Sequence, residues 1–227
     1  MRALAAGPVT LSLWDAVADT RSAVHDHPFL RGLADGSLPR ECFRHFVLQD
    51  AHYLRGFARA LALLAGRAPD DGDVATLAAH AAGAVEVERA LHAGFAADLG
   101  LTPEQAGAAP VGCATLGYVS TLVAAAATAS FAEGMAAVLP CYWIYADVGA
   151  ALLERGSPDP LYQRWVQTYG GEEFSGLVRA AVAVTERACA SGTDAALDRV
   201  RQRFVESARW EWVFWDAAWR RELWPVP

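Results

Sequence analysis

Apolar residues recur along most of this chain every three to four positions, with polar residues between them, which is the period of a helix. The pattern holds roughly from Leu11 to Asp26, Pro39 to Gly66, Gly72 to Gly100 and Cys113 to Ala129. It resumes from Phe131 to Arg155, Pro160 to Tyr169, Glu172 to Ser191 and Thr193 to Leu223. Short breaks rich in Gly, Pro and Asp separate these runs at Gly32 to Pro39, Gly66 to Gly72, Gly107 to Gly112 and Gly156 to Pro160. Alternation of period two, the mark of a half-buried strand, is nearly absent. The spacing predicts an all-α, bundle-like chain of seven or eight helices, with Pro39 in a first turn and Thr193 as an N-cap. No linker-like tract and no repeat divides residues 1–227, so a single domain is expected.

Three of the predicted helices carry a polar group on an otherwise apolar face. Asp50 is flanked one and two turns away by Phe43, Phe46, Val47, Tyr53, Leu54 and Phe57. Glu211 has Phe204, Ser207, Ala208, Phe214, Trp215 and Ala218 around it, and Cys141 has Gly134, Ala137, Val138, Ile144, Tyr145 and Val148. A buried carboxylate without a partner is costly, so each acid needs a reason to be there. Each acid alone is explained by a hydrogen-bonded tie between helices, and the thiol alone by an ordinary core cysteine. Two acids and a thiol on three long helices point instead to a polar pocket inside the bundle. Pro140 precedes the thiol. It offers no N–H to the carbonyl of Ala136 and crowds it, which predicts a kinked or loosened turn beside Cys141.

Other polar and aromatic positions read as structural. Trp212, Trp215 and Trp219 follow core spacing, and His25, His27, His45 and His80 are isolated. Glu88, one turn before His92, lies on an apolar stripe where support and function look alike.

Composition narrows the field. The net charge is −7, and all nineteen basic side chains are arginines. Without a basic patch the chain is a poor candidate for binding nucleic acid or an anionic membrane. Without lysine it has no side-chain amine for a Schiff base or a phosphate loop. The four cysteines form no Cys-x-x-Cys pair and suit a reducing compartment. No secretory leader and no uninterrupted run of about 18 apolar residues stands out, so a cytoplasmic protein is expected. No histidine has an acid three positions before it, and Gly-x-Ser-x-Gly is absent. No bound metal is expected.

Six ordered segments then carry a family likeness: His27-Pro28-Phe29; Leu48-Gln49-Asp50 with Tyr53-Leu54; Gly117-Tyr118; Leu139-Pro140-Cys141-Tyr142-Trp143 with Tyr145; Thr168-Tyr169-Gly170-Gly171; and Glu211 with Phe214-Trp215. Over nearly its whole length the chain resembles the TenA / thiaminase II family, the cysteine-containing class within the haem-oxygenase-like helical fold. The resemblance implies an aminopyrimidine aminohydrolase that needs no cofactor and acts in thiamin salvage. It would convert 4-amino-5-aminomethyl-2-methylpyrimidine, and thiamin as a second substrate, to the hydroxymethyl pyrimidine. It further implies Cys141 as nucleophile, Glu211 as proton-transferring acid, and Asp50 as the carboxylate gripping the aminopyrimidine. Tyr53, Tyr118, Tyr145 and Tyr169 would be pocket tyrosines, and the assembly a homotetramer. His52 stands where the family often has an aromatic, and Trp210 and Trp212 flank the acid where tyrosines are common. Two other classes stay open at this point. One is an oxidase or haem-binding protein on the same fold, with His25 or His27 as axial ligand. The other is a regulatory or pyrimidine-binding protein without turnover.

Overall fold

The computed structural model describes residues 4–226, with the side chains of residues 87–93, 96 and 103 outside that description. Glu88 and His92, singled out above, fall among the latter. The helices are α1 (Pro8–Ala16), α2 (Ala18–His25), α3 (Pro28–Asp35), α4 (Arg40–Ala65), α5 (Asp71–Asp98), α6 (Pro103–Gly107), α7 (Cys113–Thr128), α8 (Phe131–Arg155), α9 (Pro160–Gly170), α10 (Glu172–Cys189) and α11 (Asp194–Arg220). No strand occurs among the described residues.

The long helices start and stop close to where their apolar period does. Thr193 caps α11 as expected, accepting from the Ala196 N–H, while Pro39 is the N-cap of α4 rather than its first-turn residue. The N-terminal region differs more. Leu11 to Asp26 was expected as one helix, but the chain breaks at Val17 into α1 and α2. Glu186 of α10 accepts from the Val9 and Thr10 N–H groups and the Thr10 hydroxyl, so a side chain from far along the sequence caps α1 and fixes its direction. α3 lies across an expected break. Its cap is the imidazole of His27, which accepts from the Phe29 N–H at 3.1 Å, and it ends on Gly36 in the left-handed region at φ 78°.

α8 is the axis of the bundle, with α7, α9, α10 and α11 against it, while α4 packs on α5 and α7. By length and composition α8 could cross a membrane, but most of it is buried inside the protein, where an apolar helix is the core itself. It continues unbroken through Pro140. One position past the carbonyl that Pro140 deprives, the Ala137 carbonyl accepts from the Ser207 hydroxyl of α11 at 2.6 Å. Stacked aromatics fill the core: Trp14 on Trp143 at 4.5 Å and Phe46 on Trp215 at 5.1 Å. Trp215 is buried, and Trp212 and Trp219 pack half-buried against the same core, which is the role their spacing suggested.

Candidate active site

Helical spacing builds the site from both sides. On α4, Asp50, Tyr53 and Phe57 follow one another along a single face. On α8, Cys141 and Tyr145 do the same, and Gly149 comes one turn later. A Cβ at Gly149 would stand 2.4 Å from the Tyr169 carbonyl carbon, and one at Gly170 would stand 2.6 Å from the Gly149 oxygen. The backbones of α8 and α9 therefore touch. That contact sets the Tyr169 ring edge-on to Tyr145 at 5.0 Å. Gly117 plays a similar part on α7: a side chain there would meet the Trp210 ring at 2.7 Å, and Trp210 stacks on Tyr118. Gln49 anchors the start of α7 by donating to the Pro110 carbonyl and accepting from the Gly112 N–H and the Thr115 hydroxyl.

A cavity of about 270 Å³ opens between α4, α5, α8, α9 and α10. Asp50, Tyr53, Cys141, Tyr145 and Tyr169 line it, and Cys42, Cys113 and Cys189 do not. Five of the seven expected site residues thus line one cavity. The other two lie one layer deeper. Tyr118 packs against Tyr53 with ring centres 4.9 Å apart, and its hydroxyl donates to Glu211 Oε1. Ser207 stands 3.3 Å from the same hydroxyl.

Electrostatics distinguish the groups. Glu211 is 1% exposed. Burial and the charge of Asp50 raise its pKa to about 8, against the lowering effect of the Tyr118 hydrogen bond. Cys141 is 9% exposed. Burial, then Glu211 and Asp50, push its thiol well above the usual range, and the Tyr53 hydroxyl opposes them. That hydroxyl is buried without a well-formed hydrogen bond and faces the sulfur. The resting site therefore holds a protonated thiol on the cavity wall and, one layer behind it, a carboxyl that exchanges its proton near neutrality. Such a pair can add sulfur to an electron-poor ring while passing protons to it.

The structure also assigns places to residues the sequence left aside. His80 on α5, expected as an isolated structural histidine, lines the cavity, and its Nδ1 lies 3.0 Å from the Tyr142 hydroxyl. Glu86 on α5 and Glu173, Phe174 and Leu177 on α10 line it as well. Only the packing of α5 on α4 and of α10 on α8 brings these residues to the cavity, and no motif marks them. His52 turns away, with Nε2 2.9 Å from the Ala109 carbonyl. The two histidines an axial-ligand role would need are engaged elsewhere. His25 pairs with Asp147 at 2.8 Å, and His27 accepts from Phe29 on one ring nitrogen and lies 3.5 Å from Asp216 on the other. Neither lines the cavity.

Residues 14–221 match the model of the TENA/THI-4/PQQC family. An aminopyrimidine aminohydrolase of Bacillus subtilis is 36% identical over 87% of this chain and 84% of its own length. The thiamine biosynthesis multifunctional protein ThiED of Corynebacterium efficiens is 38% identical over 95% of this chain, which spans only 29% of that protein. Among solved structures, the TenA homologue from P. horikoshii superposes with a TM-score of 0.85 and 30% identity, over 93% of this chain and 98% of that one. A Shewanella denitrificans domain with a heme oxygenase-like fold superposes over 96% of this chain and 94% of its own, at a TM-score of 0.74. It is 15% identical, so this likeness concerns the fold alone.

Proposed function

The chain belongs to the TENA/THI-4/PQQC family, and we propose that it is an aminopyrimidine aminohydrolase of the thiaminase II type, a hydrolase. Its substrate is 4-amino-5-aminomethyl-2-methylpyrimidine, with thiamin as a second substrate, and its product is the hydroxymethyl pyrimidine. The observation that supports this most is the meeting of Cys141, Asp50 and the pocket tyrosines on one cavity of about 270 Å³, a size suited to a single substituted heteroaromatic ring.

In this reading the aromatic ring resists direct displacement at its exocyclic methylene. Addition of the Cys141 sulfur to a ring carbon removes that aromaticity, splitting one hard step into easier ones. The neutral Glu211 carboxyl gives a proton to a ring nitrogen as the sulfur adds, and the thiol proton replaces it. The ring's electrons then expel the leaving group as a neutral amine, ammonia from the ammonium form or the thiazole from thiamin. Water adds to the methylene carbon and loses a proton, and the ring N–H proton returns through Glu211 to the departing sulfur as the ring regains aromaticity. Asp50 accepts hydrogen bonds from the aminopyrimidine edge and fixes its orientation. Tyr145 and Tyr169 enclose the ring, and Tyr118 holds the Glu211 carboxyl in place. No cofactor takes part. The chain acts as one domain, in the cytoplasm, as a homotetramer whose mass light scattering would report.

Incubation with the aminomethyl pyrimidine and with thiamin, followed by mass detection, tests the assignment. Release of the hydroxymethyl pyrimidine is expected. Binding without turnover would leave a pyrimidine-binding protein instead.

A further inference from the structure

The chemistry just described moves protons at two separate places. One is the ring, where sulfur adds near Glu211. The other is the exocyclic methylene, where water must lose a proton as its oxygen bonds to carbon. Glu211 lies behind the cavity wall, hydrogen-bonded to Tyr118 and one layer in from the lining residues. That depth keeps it away from a water held among the lining residues.

His80 is a lining residue and is partly exposed. It lines the cavity from α5, between the partly exposed Gly83 and Ala84 on its own helix and Tyr142 on α8. Its Nδ1 is 3.0 Å from the hydroxyl of Tyr142, the residue next in sequence to Cys141. Tyr142 is buried, and burial keeps its phenol protonated well above the usual range, so it is a fixed neutral partner rather than a charged one. Burial also lowers the pKa of His80, which favours the neutral imidazole. Among the described lining residues, His80 is the one side chain whose ordinary pKa lies near neutrality.

We propose, resting on the aminohydrolase activity above, that His80 is a catalytic base for the hydration step, held in position by Tyr142. In the tautomer that carries its proton on Nδ1, that N–H donates to the Tyr142 oxygen and the Nε2 lone pair is left for water. Water's O–H bond breaks and its proton goes to Nε2, while its oxygen bonds to the methylene carbon and that carbon's π electrons return to the ring. The imidazolium then releases the proton to solvent, and the adduct collapses to product and free thiol.

The test uses the full-length protein and the aminomethyl pyrimidine. His80→Ala is expected to turn over about a hundredfold more slowly, while Cys141 is alkylated by iodoacetamide as fast as in the wild type. Added imidazole is expected to restore the rate in proportion to its unprotonated fraction, a response that a packing role would not give. His80→Asn keeps a donor for Tyr142 without a base, so it is expected to remain slow. If His80→Ala fails to fold, His80→Asn carries the test alone. Full activity in His80→Asn, or a slow His80→Ala that ignores imidazole, would overturn the assignment. A wild-type protein that releases no hydroxymethyl product would instead remove the aminohydrolase reading on which it rests.

Discussion

The Tyr118 hydroxyl donates to Glu211 inside the protein, joining α7 to α11 at the base of the cavity. Trp210, adjacent to Glu211 in sequence, stacks on the same tyrosine, and the missing side chain of Gly117 makes room for it. One carboxyl is thus oriented by a phenol that is itself clamped between rings.

Tyr118→Phe removes the donor but keeps the ring. A hydrogen bond between neutral groups is worth about 0.5–1.5 kcal/mol, so a loss in kcat of about two- to tenfold is expected. Because the phenol lowers the Glu211 pKa, the alkaline limb of the pH–rate profile is also expected to move to higher pH. Steady-state kinetics between pH 6 and 10 checks both. An unchanged limb would mean that Glu211 is not the group titrating there.

Glu211 also links stability to pH. Its pKa rises from the ordinary carboxylate value of about 4.3 to about 8 in the folded protein. Between those values the folded state holds a proton that the unfolded state has released, so stability falls as pH rises through this window. The contribution is complete below the lower value and gone above the upper one. Glu211→Gln cannot ionise. Its urea midpoint is expected to gain on the wild type from pH 5 to pH 8.5, while kcat collapses. A constant difference across that range would contradict a buried, neutral Glu211.

Gly149 and Gly170 let α8 and α9 touch, and that contact holds Tyr169 in the cavity wall. A methyl group at Gly149 meets backbone atoms, which cannot swing aside. Gly149→Ala is expected to cost about 1–3 kcal/mol of stability and to raise KM more than it lowers kcat, since Tyr169 encloses the ring without touching the reacting proton. Denaturant melts together with kinetics would show it. Loss confined to kcat would place Tyr169 in the chemistry.

Much of this was legible in the sequence, because helical periodicity and polar groups on apolar faces are local signals. Asp50 and Glu211 stood out because a carboxylate on an apolar stripe is costly, and Cys141 because Pro140 marked its place. What stayed hidden depended on contacts far apart in the chain. α1 starts on Glu186 of α10, far along the chain, and α3 starts on an imidazole cap that sequence rules do not favour. His80 reached the cavity only through the packing of α5, which no local pattern encodes. The depth of Glu211 behind Tyr118 was equally invisible, since a helical face gives direction and not layer.

The central claim is that the Cys141 sulfur forms the bond to the pyrimidine ring. Cys141→Ser changes one atom and leaves the pocket shape in place, but a hydroxyl is a far weaker nucleophile at neutral pH. Product formation from 4-amino-5-aminomethyl-2-methylpyrimidine by this variant, measured by mass detection alongside a binding titration, is the most direct measurement. The expected result is wild-type affinity with no detectable hydroxymethyl pyrimidine. Turnover by Cys141→Ser at a rate close to that of the wild type would contradict the covalent mechanism.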